Sequence, residues 1–202
     1  AIAIRDGELG ERASRMIVPF ASLHPADEDA TAHLEEIAAA GIRGIKIHPY
    51  YQEFSLSDPS VWPIFRVAAS LGLVVQCHCG YDIGYPGRYD ACGPKDIAVF
   101  LRNVPGMKFI AAHLGGWMMW EEVAEKLVGT PIYFDTAFIA DFIDKAAASD
   151  IINAHGADKV LFGSDAPWED PAKTLKFLRS LSIDPEDLKK ICGTNAAGLL
   201  GI

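Results

Sequence analysis

No apolar run in this chain approaches the roughly 20 residues that cross a bilayer, so no membrane span is expected. Positive charge is scarce, with 18 Lys+Arg against 27 Asp+Glu and a net charge of −9. Such a surface repels phosphate backbones, which removes nucleic acid from the expected partners. The opening residues, Ala1 to Asp6, have neither the basic stretch nor the long apolar core of a secretory signal. Cysteine is sparse too. Cys77, Cys79, Cys92 and Cys192 show no disulfide framework, and a reducing cytoplasmic setting is expected. No Gly-x-Gly-x-x-Gly follows any candidate strand, which argues against a doubly wound nucleotide-binding protein. There is no low-complexity segment and no clear repeat. The chain does not start with Met, and it is expected to begin inside a longer protein.

What is present is a rhythm. Half of the 202 residues are hydrophobic, enough for one sizeable core and one domain, 1–202. Short β-rich runs alternate with amphipathic helices. The candidate strands are Met16–Ser22, Gly44–His48, Leu73–Cys79, Lys108–His113, Pro131–Asp135 and Lys159–Ser164. Asp58-Pro59, Asp170-Pro171 and Asp184-Pro185 each read as an N-cap followed by Pro at the first helical position. Gly41, Gly72, Gly129 and Gly156 read as helix stops. Pro19 weakens the first strand, since a central strand cannot spare an N–H. Alternating strands and helices imply parallel βα units, in an open sheet or a (β/α)₈ barrel. His48, His78, His113 and Asp165 each end a separate strand. In a barrel such ends converge on one active site, and the barrel is the expected architecture.

The stretch "VVQCHCG", residues 74–80, sets two cysteines beside a histidine. On a strand, Val74, Gln76 and His78 share one face, and Val75, Cys77 and Cys79 the other. The cysteines therefore read as small buried residues under helices, and His78 as facing the barrel interior. A lone strand histidine is more often a satisfied core residue than a ligand, but here other strands supply partners. His113 ends "KFIAAH" and is expected on the face of Phe109 and Ala111. Asp165 follows Leu161 and Gly163; a carboxylate there is expensive to bury without a cation or hydrogen bonds. Lys46 shares a face with His48 and wants an anion: a substrate carboxylate, a partner Asp, or carbamylation into a metal bridge. A snorkelling lysine fits equally well. Tyr50, Arg88 and Trp117, with Tyr85 and Trp120, are candidate lining for a planar acid, with loop packing as the alternative.

The ordered set "GIRGIKIHPYYQEF", "DPSVWPIFRVAASLGLVVQCHCG", "FIAAHLGG", "IYFDTAF", "VLFGSDAPW" and "ICGTNAAGLLG" resembles the amidohydrolase-related branch of the metal-dependent TIM-barrel hydrolases. That branch includes aminocarboxymuconate semialdehyde decarboxylase and the resorcylate decarboxylases. The resemblance implies that His78 and Asp165 bind a divalent metal, with zinc the expected ion. It implies that His113 is the acid/base and that Asp165 also handles protons. Lys46 and His48 match a "K-x-H-P" signature and carry over as pocket lining only. Relatives begin with a strand ending in His-x-His or Glu-x-His, which is missing here. The six candidate strands then correspond to strands 3 to 8, with the first one or two βα units absent from the chain.

The implied function is hydrolysis of a small-molecule amide, ester or lactone through a metal-activated water. The alternative in the same site is nonoxidative decarboxylation of an aromatic or unsaturated carboxylic acid. A second alternative is a non-catalytic barrel relative with an incomplete metal site. A small molecule is the expected partner, and a homo-oligomer is compatible with the sequence.

Overall fold

The computed structural model describes residues 7–8, 10–88 and 90–202. The Ala1–Asp6 hexapeptide, read above as carrying no secretory signal, lies outside them. The strands are β1 (Gly44–Ile47), β2 (Val74–Cys77), β3 (Lys108–Ala111), β4 (Tyr133–Asp135) and β5 (Val160–Leu161). They pair in chain order, every pair parallel, in one five-stranded sheet. Parallel neighbours need a crossover, and helices supply it. The helices are α1 (Glu11–Met16), α2 (Ala30–Ala39), α3 (Trp62–Ser70), α4 (Pro94–Asn103), α5 (Trp120–Lys126), α6 (Lys145–His155), α7 (Pro171–Leu178), α8 (Pro185–Lys189) and α9 (Asn195–Leu200), of which α3 to α6 lie between successive strands. Among the described residues no helix is long and apolar enough to cross a membrane.

Side-chain alternation sorts the sheet into two faces. Ile45, Ile47, Val75, Cys77, Phe109, Ala111 and Phe134 pack under the helices against Phe65, Ile97, Phe100 and Leu127. Phe100 meets Phe65 and Phe109 at 5.1 and 5.3 Å between ring centres. Val74, Ile110 and Leu161 form a separate cluster on the opposite face, with Phe20, Leu199 and Leu200 against it. Helix α9 thus closes the end of the sheet where the strands begin. Asn195 ties it there, its Nδ2 donating to the Ala157 and Val160 carbonyls at 2.7 and 2.8 Å. Cys77 and Cys79 sit in the helix-covered core, as alternation requires, and burial holds the Cys77 thiol well above its usual range.

Several expectations need correction. Met16–Ser22 is not a strand: α1 ends at Met16, and only Ala21 joins the sheet, through an isolated bridge to Ile45. Pro19 has no N–H to give, so pairing is confined to Ala21 N–H to Gly44 O and Lys46 N–H to Ala21 O. Asp58-Pro59 does not open α3. Asp58 instead closes a turn by accepting from Ser60 N–H at 2.8 Å, and the helix begins at Trp62-Pro63. Asp170 and Asp184 do cap α7 and α8, accepting from Ala172 and Glu186 N–H. The four expected stop glycines all have positive φ just after a helix. The strands also end sooner than expected: β2 at Cys77 and β3 at Ala111. That shortening builds the site.

Candidate active site

Beyond Cys77 the β2–β3 ladder opens and then closes again. The Cys77 carbonyl accepts from Ala112 N–H at 3.0 Å, and the Cys79 carbonyl accepts from Trp117 N–H at 2.9 Å. One residue, His78, separates those carbonyls on one side. On the other side the chain leaves the ladder from His113 to Gly116. Tyr81 N–H then donates to Trp117 O, and Gly80 bridges Trp117. Gly80 has φ +90°, and a Cβ there would lie 2.2 Å from Trp117 N, so only glycine permits this closure.

His113 and Leu114 both adopt left-handed φ, 60° and 56°. Strand alternation would have put His113 on the helix-covered face of Phe109 and Ala111; the expected face was wrong. The left-handed turn carries its ring across to the strand ends instead. The excursion is braced: His113 N–H donates to Asp135 Oδ1 at 3.0 Å, Leu114 N–H to Asp135 O at 2.7 Å, and Trp120 Nε1–H to His113 O at 3.0 Å.

The imidazoles then form a directed chain. His113 Nδ1 lies 2.9 Å from Ala137 O, and His113 Nε2 lies 3.0 Å from His78 Nδ1. A carbonyl only accepts, so Nδ1 of His113 carries the proton. In the neutral ring Nε2 is then bare and accepts from His78 Nδ1–H. His78 Nε2 is left with a free lone pair. It is buried with no hydrogen-bond partner, and Asp82 Oδ2 at 3.6 Å is too far to serve. His48 stacks on His78, ring centres 4.1 Å apart and planes 11° from parallel, with Nε2 3.1 Å from Asp82 Oδ2. Asp82 is held by Gly84 N–H, which donates to Oδ1 at 2.7 Å.

Burial, opposed by the Asp82 carboxylate, pulls the His48 pKa down to about 4. Burial, reinforced by His113 and His48, drives His78 far below the ordinary histidine value. Both rings are therefore neutral at neutral pH, the form that binds metal. Ligand atoms of His48, His78 and Asp82 all lie within 4.8 Å of one another. Two imidazoles and a carboxylate suit zinc or another divalent ion, and the orphaned His78 nitrogen needs such a partner. The residues fit a metal ion.

The cluster opens on a cavity of about 300 Å³. Lys46, His48, His78, His113, Trp117 and Asp165 all line it, with Tyr51, Tyr81, Phe138 and Trp168 as further aromatic walls. Asp165 is exposed, with φ +61°, and lies outside the close group of three. Tyr50 and Arg88 are not among the lining residues. Tyr50 is fully buried; its hydroxyl donates to Arg88 O at 3.3 Å, and the Arg88 guanidinium lies 5.6 Å over its ring. Tyr85 stacks on Tyr50, and Trp120 braces the His113 carbonyl. Sequence reasoning missed Asp82, Gln76 and Asp135. Asp135 bore a readable signal, a carboxylate ending the apolar run "IYF", the same signal that singled out Asp165. Asp82 bore a weaker one, a carboxylate four residues past His78 across Gly80.

No curated protein matches the chain by sequence. Solved structures do match. A 5-carboxyvanillate decarboxylase from Sphingomonas paucimobilis is 16% identical with a TM-score of 0.70, over 99% of this chain and 73% of that one. A 2,6-dihydroxybenzoate decarboxylase from Rhizobium is 18% identical with a TM-score of 0.68, over 98% and 76%. An uncharacterised TIM-barrel protein from Bordetella bronchiseptica is 22% identical with a TM-score of 0.71, over 91% and 66%. At such identities the likeness is one of fold, and the parallel sheet is part of a TIM barrel. A family model described as Amidohydrolase matches residues 7–202, and by that match the chain belongs to the amidohydrolase family of enzymes.

Proposed function

We propose that this protein is a metal-dependent nonoxidative decarboxylase of an aromatic or unsaturated carboxylic acid. The observation that carries the reading is the orphaned Nε2 of His78 beside an aromatic-walled cavity that also holds Lys46. His48, His78 and Asp82 would hold the ion, with Asp165 on the cavity wall as a further candidate ligand and proton carrier. Zinc suits these donors. Bound there, the ion supplies Lewis-acid polarisation of a substrate oxygen.

The chain's own residues do the rest. Lys46 pairs with an anionic oxygen of the substrate, and Tyr81 and Trp117, stacked on each other with ring centres 5.8 Å apart, form one aromatic wall beside a planar ring. His113 is the proton carrier. As the C–C bond breaks and CO₂ leaves, the electron pair stays on carbon; a proton taken from solvent at Nε2 of His113, which gives up its contact with His78 to carry it, completes the new C–H bond and returns the ring to its neutral Nδ1–H form. Similarity to two decarboxylases supports this reading over hydrolysis. Hydrolysis of an amide, ester or lactone is the second reading, favoured by the family's description.

The test is incubation of the zinc-loaded protein with hydroxylated benzoic acids, following CO₂, against a parallel set of esters, amides and lactones. Release of CO₂ is the expected result. Turnover of the second set alone moves the assignment to hydrolysis, and turnover of neither to a non-catalytic relative.

A further inference from the structure

We infer that Asp135 is a positioning residue that sets the tautomer of His113, with Gln76 as its support. The consequence for turnover rests on the reading of His113 as proton carrier; the structural claim does not.

Asp135 ends β4 and is 3% exposed. Its Oδ1 accepts two backbone N–H groups, from His113 at 3.0 Å and from Ala137 at 3.1 Å. Its Oδ2 accepts from Gln76 Nε2 at 3.0 Å, and its own carbonyl accepts from Leu114 N–H at 2.7 Å. Each partner matters for His113. His113 and Leu114 are two consecutive non-glycine residues in the left-handed region, a backbone that persists only when its surroundings over-determine it. Both of their N–H groups go to Asp135. The third backbone partner, Ala137, is the residue whose carbonyl takes the His113 Nδ1 proton. One carboxylate thus holds the backbone of His113 and the acceptor that selects its tautomer. Gln76 reaches from β2, beneath His78, to keep the second oxygen in place. Asp135 is not among the residues lining the cavity, so it acts through His113.

Replacing Asp135 by Ala leaves the N–H groups of His113 and Ala137 without their acceptor and frees the Ala137 carbonyl to move. Replacing it by Asn keeps an acceptor at Oδ1, and the Gln76 amide turns over to meet the new NH₂. The experiment reads the imidazole nitrogens of the metal-free, ¹⁵N-labelled protein by long-range ¹H–¹⁵N correlation. Wild type and Asp135→Asn are expected to hold His113 in the single Nδ1–H tautomer. Asp135→Ala is expected to show mixed tautomers with the circular dichroism unchanged. In the CO₂ assay it should lose roughly tenfold in kcat with KM nearly constant, the range of a weakened general acid. If Asp135→Ala does not fold, Gln76→Leu is read instead, and it too should mix the tautomers of His113. A folded Asp135→Ala or Gln76→Leu protein that keeps the single Nδ1–H tautomer overturns the inference. The spectra need no substrate, so they stand or fall apart from the decarboxylase reading.

Discussion

Nε2 of His113 stands 3.0 Å from Nδ1 of His78, and the two rings meet edge to face with centres 4.8 Å apart. A metal ligand whose second nitrogen is anchored is both oriented and made more basic. In the proposed function His113 therefore serves His78 as well as the substrate. His113→Ala is expected to weaken zinc binding about 10–100-fold, and to lower turnover by roughly 10²–10⁴-fold. Calorimetric zinc titration and the CO₂ assay measure the two losses separately. Unchanged zinc affinity would show that the contact does not orient the ligand.

Asp82 and Asp165 are separable by the same titration. Asp82 faces both His48 and His78, whereas Asp165 stands apart on the exposed wall. Asp82→Ala should cost more zinc affinity than Asp165→Ala. The reverse order would move the metal toward Asp165 and leave Asp82 as a hydrogen-bond partner of His48.

Gly80→Ala tests the closure of the ladder. The new Cβ would meet Trp117 N at 2.2 Å on a residue with φ +90°. Left-handed backbone alone costs about 1–2 kcal/mol for an L residue, and the backbone clash adds to it. A drop of at least about 2 kcal/mol in urea unfolding is expected. Wild-type stability would mean that Trp117 can retreat freely.

His155 makes the fold acid-sensitive away from the site. Its ring stacks on Phe134 at 3.9 Å, its Nδ1 accepts from Gly129 N–H at 3.2 Å, and its Nε2–H donates to Ile132 O at 3.0 Å. Burial lowers its pKa below the ordinary 6.5. The unfolded chain then binds the proton more readily than the folded one, so stability is full above pH 6.5 and is lost as pH falls below it. Unfolding at about pH 7.5 and about pH 5.5 should show this fall, and His155→Gln should lessen it. An equal fall in the variant would assign the acid sensitivity to His48 and His78.

Much of the architecture was legible because it rests on local signals. Asp170-Pro171 and Asp184-Pro185 are caps in sequence and in structure. The face opposition of Val74 to Cys77 follows from a period of two. What was not legible depends on where that period stops. Nothing in "AAHLGG" marks His113 as left-handed; the turn comes from Asp135, 22 residues further along the chain. Asp82 was missed for a like reason, since its role needs β1 to bring His48 beside His78. Pro19 was read correctly as weakening the first strand, yet the pairing lost was nearly all of it: among the described residues Ala21 bonds to β1 alone.

The departure of the chain between Ala112 and Trp117 has a consequence for how such a barrel diversifies. Its two ends are pinned to the carbonyls of Cys77, the last residue of β2, and of Cys79, two residues beyond it. The segment between them is therefore a closed excursion that does not take part in strand pairing. A change of side chain at His113 leaves the register of β2 against β3 fixed, because register is set upstream by Val74 opposite Lys108 and by the pairs that follow. A different side chain can stand at position 113 without repacking Phe109 or Ala111, whereas Leu114 and Gly115 are fixed by the core around them.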